Sequence, residues 1–138
     1  MILYVDTSAL VKLFIDERGS DEVLSWAAEA RAVACSQLGL PEAIAAFSRR
    51  LRSGSLPNAT YDRVLTELQR SWADVVTVHL DERLAGDLAR RYPLSGADAV
   101  HLAAALTLAG ADLPIVFCGY DQRLNEAAAS EGFRILGA

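Results

Sequence analysis

The 138-residue chain has little of what marks a secreted, membrane-bound or nucleic-acid-coating protein. It carries only two cysteines, Cys35 and Cys118, with no Cys-x-x-Cys pair and no thiol or imidazole set at zinc spacing. That excludes a disulfide framework and a thiolate metal centre. Each cysteine lies in an apolar stretch, Val33-Ala34-Cys35 or Val116-Phe117-Cys118, so both are expected to be buried free thiols. No apolar run approaches the roughly 20 residues of a membrane span, and Met1-Ile2-Leu3-Tyr4-Val5-Asp6 has no basic region ahead of its short apolar segment. A soluble, cytoplasmic protein is expected. Positive charge is also scarce: 13 Lys and Arg against 18 Asp and Glu give a net charge of −5, which weighs against unspecific coating of nucleic acid. Only 4 prolines, 9 glycines and no repeats or low-complexity tracts exclude a fibrous or disordered chain.

What is present fits one packed domain over residues 1–138, with 52% hydrophobic and 22% charged residues. Apolar, strand-like runs fall at Ile2 to Val5, Ala32 to Cys35, Val75 to His79, Ile115 to Cys118 and Arg134 to Leu136. Their continuous rather than alternating apolarity indicates strands covered on both faces. Helical patterns fill the gaps: Ser8 to Asp16, Ser20 to Ala30 with Ser20 as N-cap, Gln37 to Arg52, Tyr61 to Trp72, Asp81 to Arg91, Ser95 to Leu108 closed by Gly110, and Asp121 to about Gly132. This alternation predicts an α/β sandwich around a central, mostly parallel sheet of five strands, with its site at the carboxyl ends of the strands.

That rule selects a set of acids. Asp6 directly follows the first strand and Asp121 closely follows the fourth. Glu42 lies early in the helix after the second strand, and Asp98 in the first turn of the Ser95 helix, on a face that continues through His101, Leu102 and Ala105. Singly, each acid has a structural explanation as a cap, a partner of a helix dipole or a surface charge. Together at one edge they would repel one another unless cations intervened. An all-oxygen set suits Mg2+ or Mn2+, which could polarise a phosphodiester and activate water.

The segments Val-Asp6-Thr-Ser8-Ala-Leu, Leu-Pro-Glu42-Ala, Ser-Gly-Ala-Asp98-Ala-Val-His-Leu-Ala-Ala-Ala and Tyr-Asp121-Gln-Arg-Leu together resemble a PIN-domain nuclease, and within that family the VapC-type toxins of bacterial toxin–antitoxin pairs. The likeness runs through the whole chain in order. It implies a PIN-like three-layer α/β/α sandwich and a Mg2+-dependent endoribonuclease, with Mn2+ as a substitute. It also implies a homodimer, and a cognate VapB-like antitoxin through which any contact with DNA would be made. Carried over by position, Asp6, Glu42, Asp98 and Asp121 would be the catalytic, metal-holding acids. Ser8 would be the hydroxyl residue two positions after the first of them. Gly119 departs from the family, which often has Thr or Ser two residues before the last acid.

Other residues are weighed against plainer roles. His101, set among Ala99, Val100, Leu102 and Ala103, is expected to be a core histidine rather than a general base. His79 at a strand end has less support still. Arg49, in the basic cluster Arg49, Arg50 and Arg52, could meet an RNA phosphate or an antitoxin, and Lys12 could reach the rim. Trp26 and Trp72 read as core or interface. A homodimer is expected from the apolar positions Leu51, Leu56, Tyr61, Val64, Leu65, Leu68 and Trp72. A non-catalytic α/β module for binding protein or RNA, its acids purely structural, stays open. A receiver-type phosphoacceptor is disfavoured by the single Asp ending the first strand and by Val78-His79-Leu80 at the third. A haloacid-dehalogenase-like phosphatase is disfavoured by Ser8 at the second position after Asp6.

Overall fold

Alternating side chains along each strand divide the apolar residues between two faces of one sheet. The structure is a computed structural model describing residues 1–138. In β1 (Ile2–Val5), Leu3 and Val5 enter one core and Tyr4 the other; β2 (Ala32–Ser36) divides Cys35 from Ala34, and β4 (Ile115–Cys118) divides Val116 and Cys118 from Phe117. With β3 (Val76–Val78) and β5 (Arg134–Leu136) they form a five-stranded sheet in the order β3-β2-β1-β4-β5, every pairing parallel. Burial on both faces is what the continuous apolar runs require.

Seven helices cover the two faces. The Leu3 side is covered by α1 (Thr7–Lys12), α2 (Ser20–Glu29), α3 (Gly39–Ser53) and α4 (Asn58–Ser71), whose Leu10, Val23, Phe47, Val64 and Leu68 are fully buried. The Tyr4 side is covered by α5 (Glu82–Arg91), α6 (Gly96–Gly110) and α7 (Gln122–Ser130). In α6 the buried side chains are His101, Leu102 and the alanines 99, 103, 104 and 105, small enough to bring the helix close to the sheet. No helix is long and apolar enough to cross a membrane.

Several boundaries differ from those read in the sequence. The first helix stops at Lys12, not Asp16, and Asp6 caps it. Gly19, in a left-handed conformation at φ +92°, precedes α2 where Ser20 was expected to cap. Ser20 is instead buried, its hydroxyl donating to the Ile15 carbonyl at 2.7 Å and accepting from the Glu17 amide at 3.0 Å, so it fastens the preceding turn. Trp72 leaves the helix for a 3-10 turn (Trp72–Asp74), and the third strand is correspondingly short. The sixth helix runs on from Leu108 to end at Gly110, and the left-handed residue beyond it is Asp112 at φ 59°. The apolar positions from which a dimer was expected are largely used at home. Leu56, Val64 and Leu68 are buried in the chain's own core and Tyr61 and Trp72 pack against it.

Gly39 starts α3 against β2, where a Cβ would overlap Cys35 Sγ and stand 3.4 Å from both Leu10 and Trp72. All three neighbours belong to the packed core or its margin. Gly39→Ala should therefore cost about 1–3 kcal/mol in urea unfolding, as core overpacking does. Cys35→Ala in the same chain should restore most of it; equal losses in both backgrounds would contradict this packing.

Candidate active site

From β1 the chain steps outward through β2 to β3, then returns to lay β4 and β5 on the other side of β1. Such a reversal opens a crevice at the carboxyl ends of the two central strands. Asp6 leaves β1 there, its amide bonded to the Cys118 carbonyl at 3.1 Å. Its Oδ1 accepts from the Ala9 amide at 2.9 Å and the Ser8 hydroxyl at 2.6 Å, capping α1, while Oδ2 receives no hydrogen bond from the chain. Ser8 in turn accepts from the Tyr120 amide at 3.1 Å, so it joins α1 to the exit of β4 and fixes Asp6. Asp6 is only 3% exposed. Burial pushes its carboxyl above the ordinary range, against the pull of the Ser8 and Ala9 hydrogen bonds.

Glu42 reaches the same crevice from α3, in the helical layer that also holds α1. Its Oε1 accepts from Thr7 Oγ1 at 2.5 Å and lies 2.8 Å from His101 Nε2. The direction of that second bond follows from a chain of donors. The Ser36 amide donates to the Tyr4 hydroxyl at 3.0 Å, so the Tyr4 proton points to His101 Nδ1, 2.8 Å away. Nδ1 is thereby the acceptor and Nε2–H the donor to Glu42. Burial raises the Tyr4 phenol well above its usual value, which keeps that proton in place. Burial would also raise Glu42, but the hydrogen bonds from His101 and Thr7, with the charge of Arg49, outweigh it and leave this carboxyl below its ordinary range.

Asp98 sits half-buried in the first turn of α6, where the cap is the Ser95 hydroxyl, 3.1 Å from the Asp98 amide. No backbone amide donates to the Asp98 side chain, whose hydrogen-bonding neighbour is the Ser95 hydroxyl. Burial raises its carboxyl, and the charges of Asp121 and Glu42 add to the shift, with Ser95 opposing. Asp6 feels Asp98 in the same way. Asp121 is exposed and caps α7 through the Leu124 amide at 2.9 Å. The four acids therefore share one electrostatic neighbourhood, although no three acid, histidine or cysteine side chains stand ready-arranged around a metal position. One oxygen each of Asp6, Glu42 and Asp121 is engaged with the protein, and like charges keep apart. The donor set itself, carboxylate oxygens with no thiolate, fits a hard divalent cation.

Gly119 also has a local reason. A Cβ there would stand 2.7 Å from Asp6 Oδ2 and 3.0 Å from Asn125 Oδ1, so the glycine permits the two oxygens to close on the end of β4. Asn125 was absent from the sequence reading, although it lies one helical turn after Asp121. Thr7 and His101 were missed as the groups that hold Glu42; the Asp-Thr-Ser sequence drew attention to Ser8 alone. Lys12 is drawn away, bridging to Glu17 at 3.0 Å over the Tyr120 ring, and Arg50 meets the same Glu17 at 2.9 Å. Arg49 stays exposed near Glu42. His79 is exposed and bonded to Gln37 at 3.0 Å. Trp26 and Trp72 pack against the first core, and both cysteines are buried and free, burial pushing the Cys118 thiol up to about 12.

Residues 3–129 match the family described as the PIN domain. Ribonuclease VapC45 of Mycobacterium tuberculosis is 35% identical over 140 residues, covering 99% of this chain and 96% of the relative. Among solved structures, PAE2754 from Pyrobaculum aerophilum superposes with a TM-score of 0.73 at 17% identity, over 98% of this chain and 89% of that one. VapBC2 from Rickettsia felis, bound to a DNA fragment from its promoter, gives 0.67 at 11% identity, over 99% and 98%.

Two outcomes follow from the site's hydrogen bonds and charges. Tyr4→Phe leaves the buried Ser36 amide without its acceptor and His101 without its proton donor, and should cost about 1–3 kcal/mol in urea unfolding; a neutral change would refute the donor order. An acid raised by folding destabilises once ionised, so the deficit from Asp98 is absent below its unfolded value near 3.8 and complete above its folded one. Asp98→Asn should thus raise the melting temperature in EDTA by a few degrees at neutral pH and by nothing at about pH 3. An equal gain at both would contradict it.

Proposed function

The chain belongs to the PIN-domain family, and from that premise we propose that it is a metal-dependent endoribonuclease hydrolysing RNA phosphodiester bonds, the toxin of a VapBC-type toxin–antitoxin pair. The observation that carries this reading is Asp98. Asp6 and Asp121 double as helix caps, so the structural alternative explains them, but for Asp98, half-buried and facing other acids, it offers only the dipole of α6, a benefit that the neighbouring acids oppose. Mg2+ or Mn2+ held among Asp6, Glu42, Asp98 and Asp121 would polarise the scissile phosphoryl group and supply an activated water.

The chain's own residues do the positioning. Ser8 and the Ala9 amide hold Asp6 Oδ1 and leave Oδ2 turned to the crevice; Thr7 and His101 hold one oxygen of Glu42. Preset carboxylates spare the reorganisation that mobile ones would need at the moment of reaction. Arg49 is suited to meet an RNA phosphate at the rim, where a protein of net charge −5 otherwise offers little attraction. An antitoxin is expected to silence the site by inserting Arg or Lys among the acids, since a cationic side chain offsets the same repulsion as the metal. The homodimer implied by the family likeness belongs to this reading as well.

Cleavage of a mixed RNA pool should require Mg2+ or Mn2+ and fall at least about 100-fold in Asp6→Asn and Asp98→Asn, both still folded by thermal melts. Undiminished cleavage in EDTA, or by folded Asp98→Asn, would overturn the metal-nuclease mechanism. A complex with the antitoxin in which no Arg or Lys approaches Asp6 or Asp98 would overturn that mode of inhibition alone.

A further inference from the structure

The geometry assigns Asn125 to the cation site, as a neutral oxygen donor beside Asp6 for the divalent ion that the carboxylates hold. This rests on the metal-dependent reading above and adds a residue to it.

The orientation of the Asn125 amide is set by its surroundings. Nδ2 donates to the Gly119 carbonyl at 2.9 Å and, less closely, to the Gly137 carbonyl at 3.4 Å. Exchanging nitrogen and oxygen would press an acceptor against two acceptors, so Oδ1 must face the other way. There it is sealed from solvent and is the one buried side-chain polar atom in the chain without a hydrogen-bond partner. Native proteins seldom leave such an atom, and where one occurs a bound water or ion is a common reason.

Oδ1 and a second acceptor lie beside the same glycine. The missing Cβ of Gly119 marks a point 3.0 Å from Asn125 Oδ1 and 2.7 Å from Asp6 Oδ2. Two oxygens, one of them a buried carboxylate's, converge on the same place with no donor of the chain between them. The nearby hydroxyl of Ser8 is committed to Asp6 Oδ1, and both hydrogens of the Asn125 amide group point to carbonyls. A hard cation, bound directly or through its water, satisfies both oxygens at once, and amide and carboxylate oxygens are its usual ligands. The backbone is built to hold this arrangement. Gly137, at φ +95°, passes so close to Gly119 that any Cβ would overlap the Gly119 carbonyl oxygen, the one that receives Asn125 Nδ2. Asn125 also stands four residues after Asp121, so the turn of α7 that brings the last acid brings this amide with it.

Calorimetric titration of the full chain with Mn2+, without RNA, tests the assignment. Asn125→Ala should weaken Mn2+ binding about tenfold, and Asn125→Asp, which keeps an oxygen and adds charge, should bind at least as tightly as the unaltered chain. A purely structural clamp gives the opposite pattern: both variants melt lower in EDTA because both lose the amide donors, and Mn2+ affinity stays unchanged. That result would overturn the assignment, as would a loss of affinity in Asn125→Asp equal to that in Asn125→Ala. If Asn125→Ala does not fold, Asn125→Asp decides alone, with affinity at or above the unaltered value supporting the assignment and reduced affinity refuting it. Failure of the unaltered chain to bind Mn2+ would instead defeat the metal-dependent reading itself.

Discussion

A carboxylate buried at the end of the central strand is the constraint around which the rest of the site is arranged. Asp6 is nearly closed to solvent, and an acid in that position needs hydrogen bonds or a counter-charge to remain ionised. One of its oxygens obtains them locally from the start of α1 and from Ser8. The other is left for the crevice. The same residue therefore starts a helix and supplies charge, and its neighbours fit it: glycine at 119, where a Cβ would stand 2.7 Å from Asp6 Oδ2, and a hydroxyl at 8, which also anchors the exit of β4.

The second constraint ties the two helical layers together over the top of the sheet. Glu42 comes from the layer on the Leu3 side and His101 from the layer on the Tyr4 side, and their bond closes across the strand ends. Tyr4 and the Ser36 amide set the direction of every proton in that path, so the histidine holds Glu42 through Nε2–H. Its role is orientation. In the proposed metal site Glu42 would be a ligand held by a second residue of defined tautomer, a common way to tune such sites, with supporting residues from β1, β2 and α6 at once.

Much of this was legible in the sequence, and the reasons are specific. Strands buried on both faces announce themselves as unbroken apolar runs, which located the central β1, β2 and β4; the more exposed edge strands β3 and β5 were found as short apolar-rich runs, and the carboxyl-end rule then selected Asp6, Glu42, Asp98 and Asp121. What escaped were contacts between residues far apart in the chain. Nothing local in Ala99-Val100-His101-Leu102 indicates that the ring bonds Tyr4 on one side and Glu42 on the other, 97 and 59 residues away. Thr7 was passed over because Ser8 alone has the short reach to Asp6, whereas Thr7 meets an acid on α3. Asn125 could have been suspected from its four-residue spacing to Asp121, but its orphaned oxygen is visible only in three dimensions. Ser20 shows the reverse error, a good capping residue used instead to bond a turn.

The pairing of β1 bears on when the protein can act. Its first strand stays incomplete on one side until β4 arrives, since Ile2 to Val5 pair with Ile115 to Cys118. A parallel pairing across so much chain closes late, after most of the polypeptide is available. During synthesis the first four helices can gather on β1 and β2, yet the crevice lacks a wall and Asp121 is still missing. A chain that ends before β4 therefore cannot assemble the proposed site.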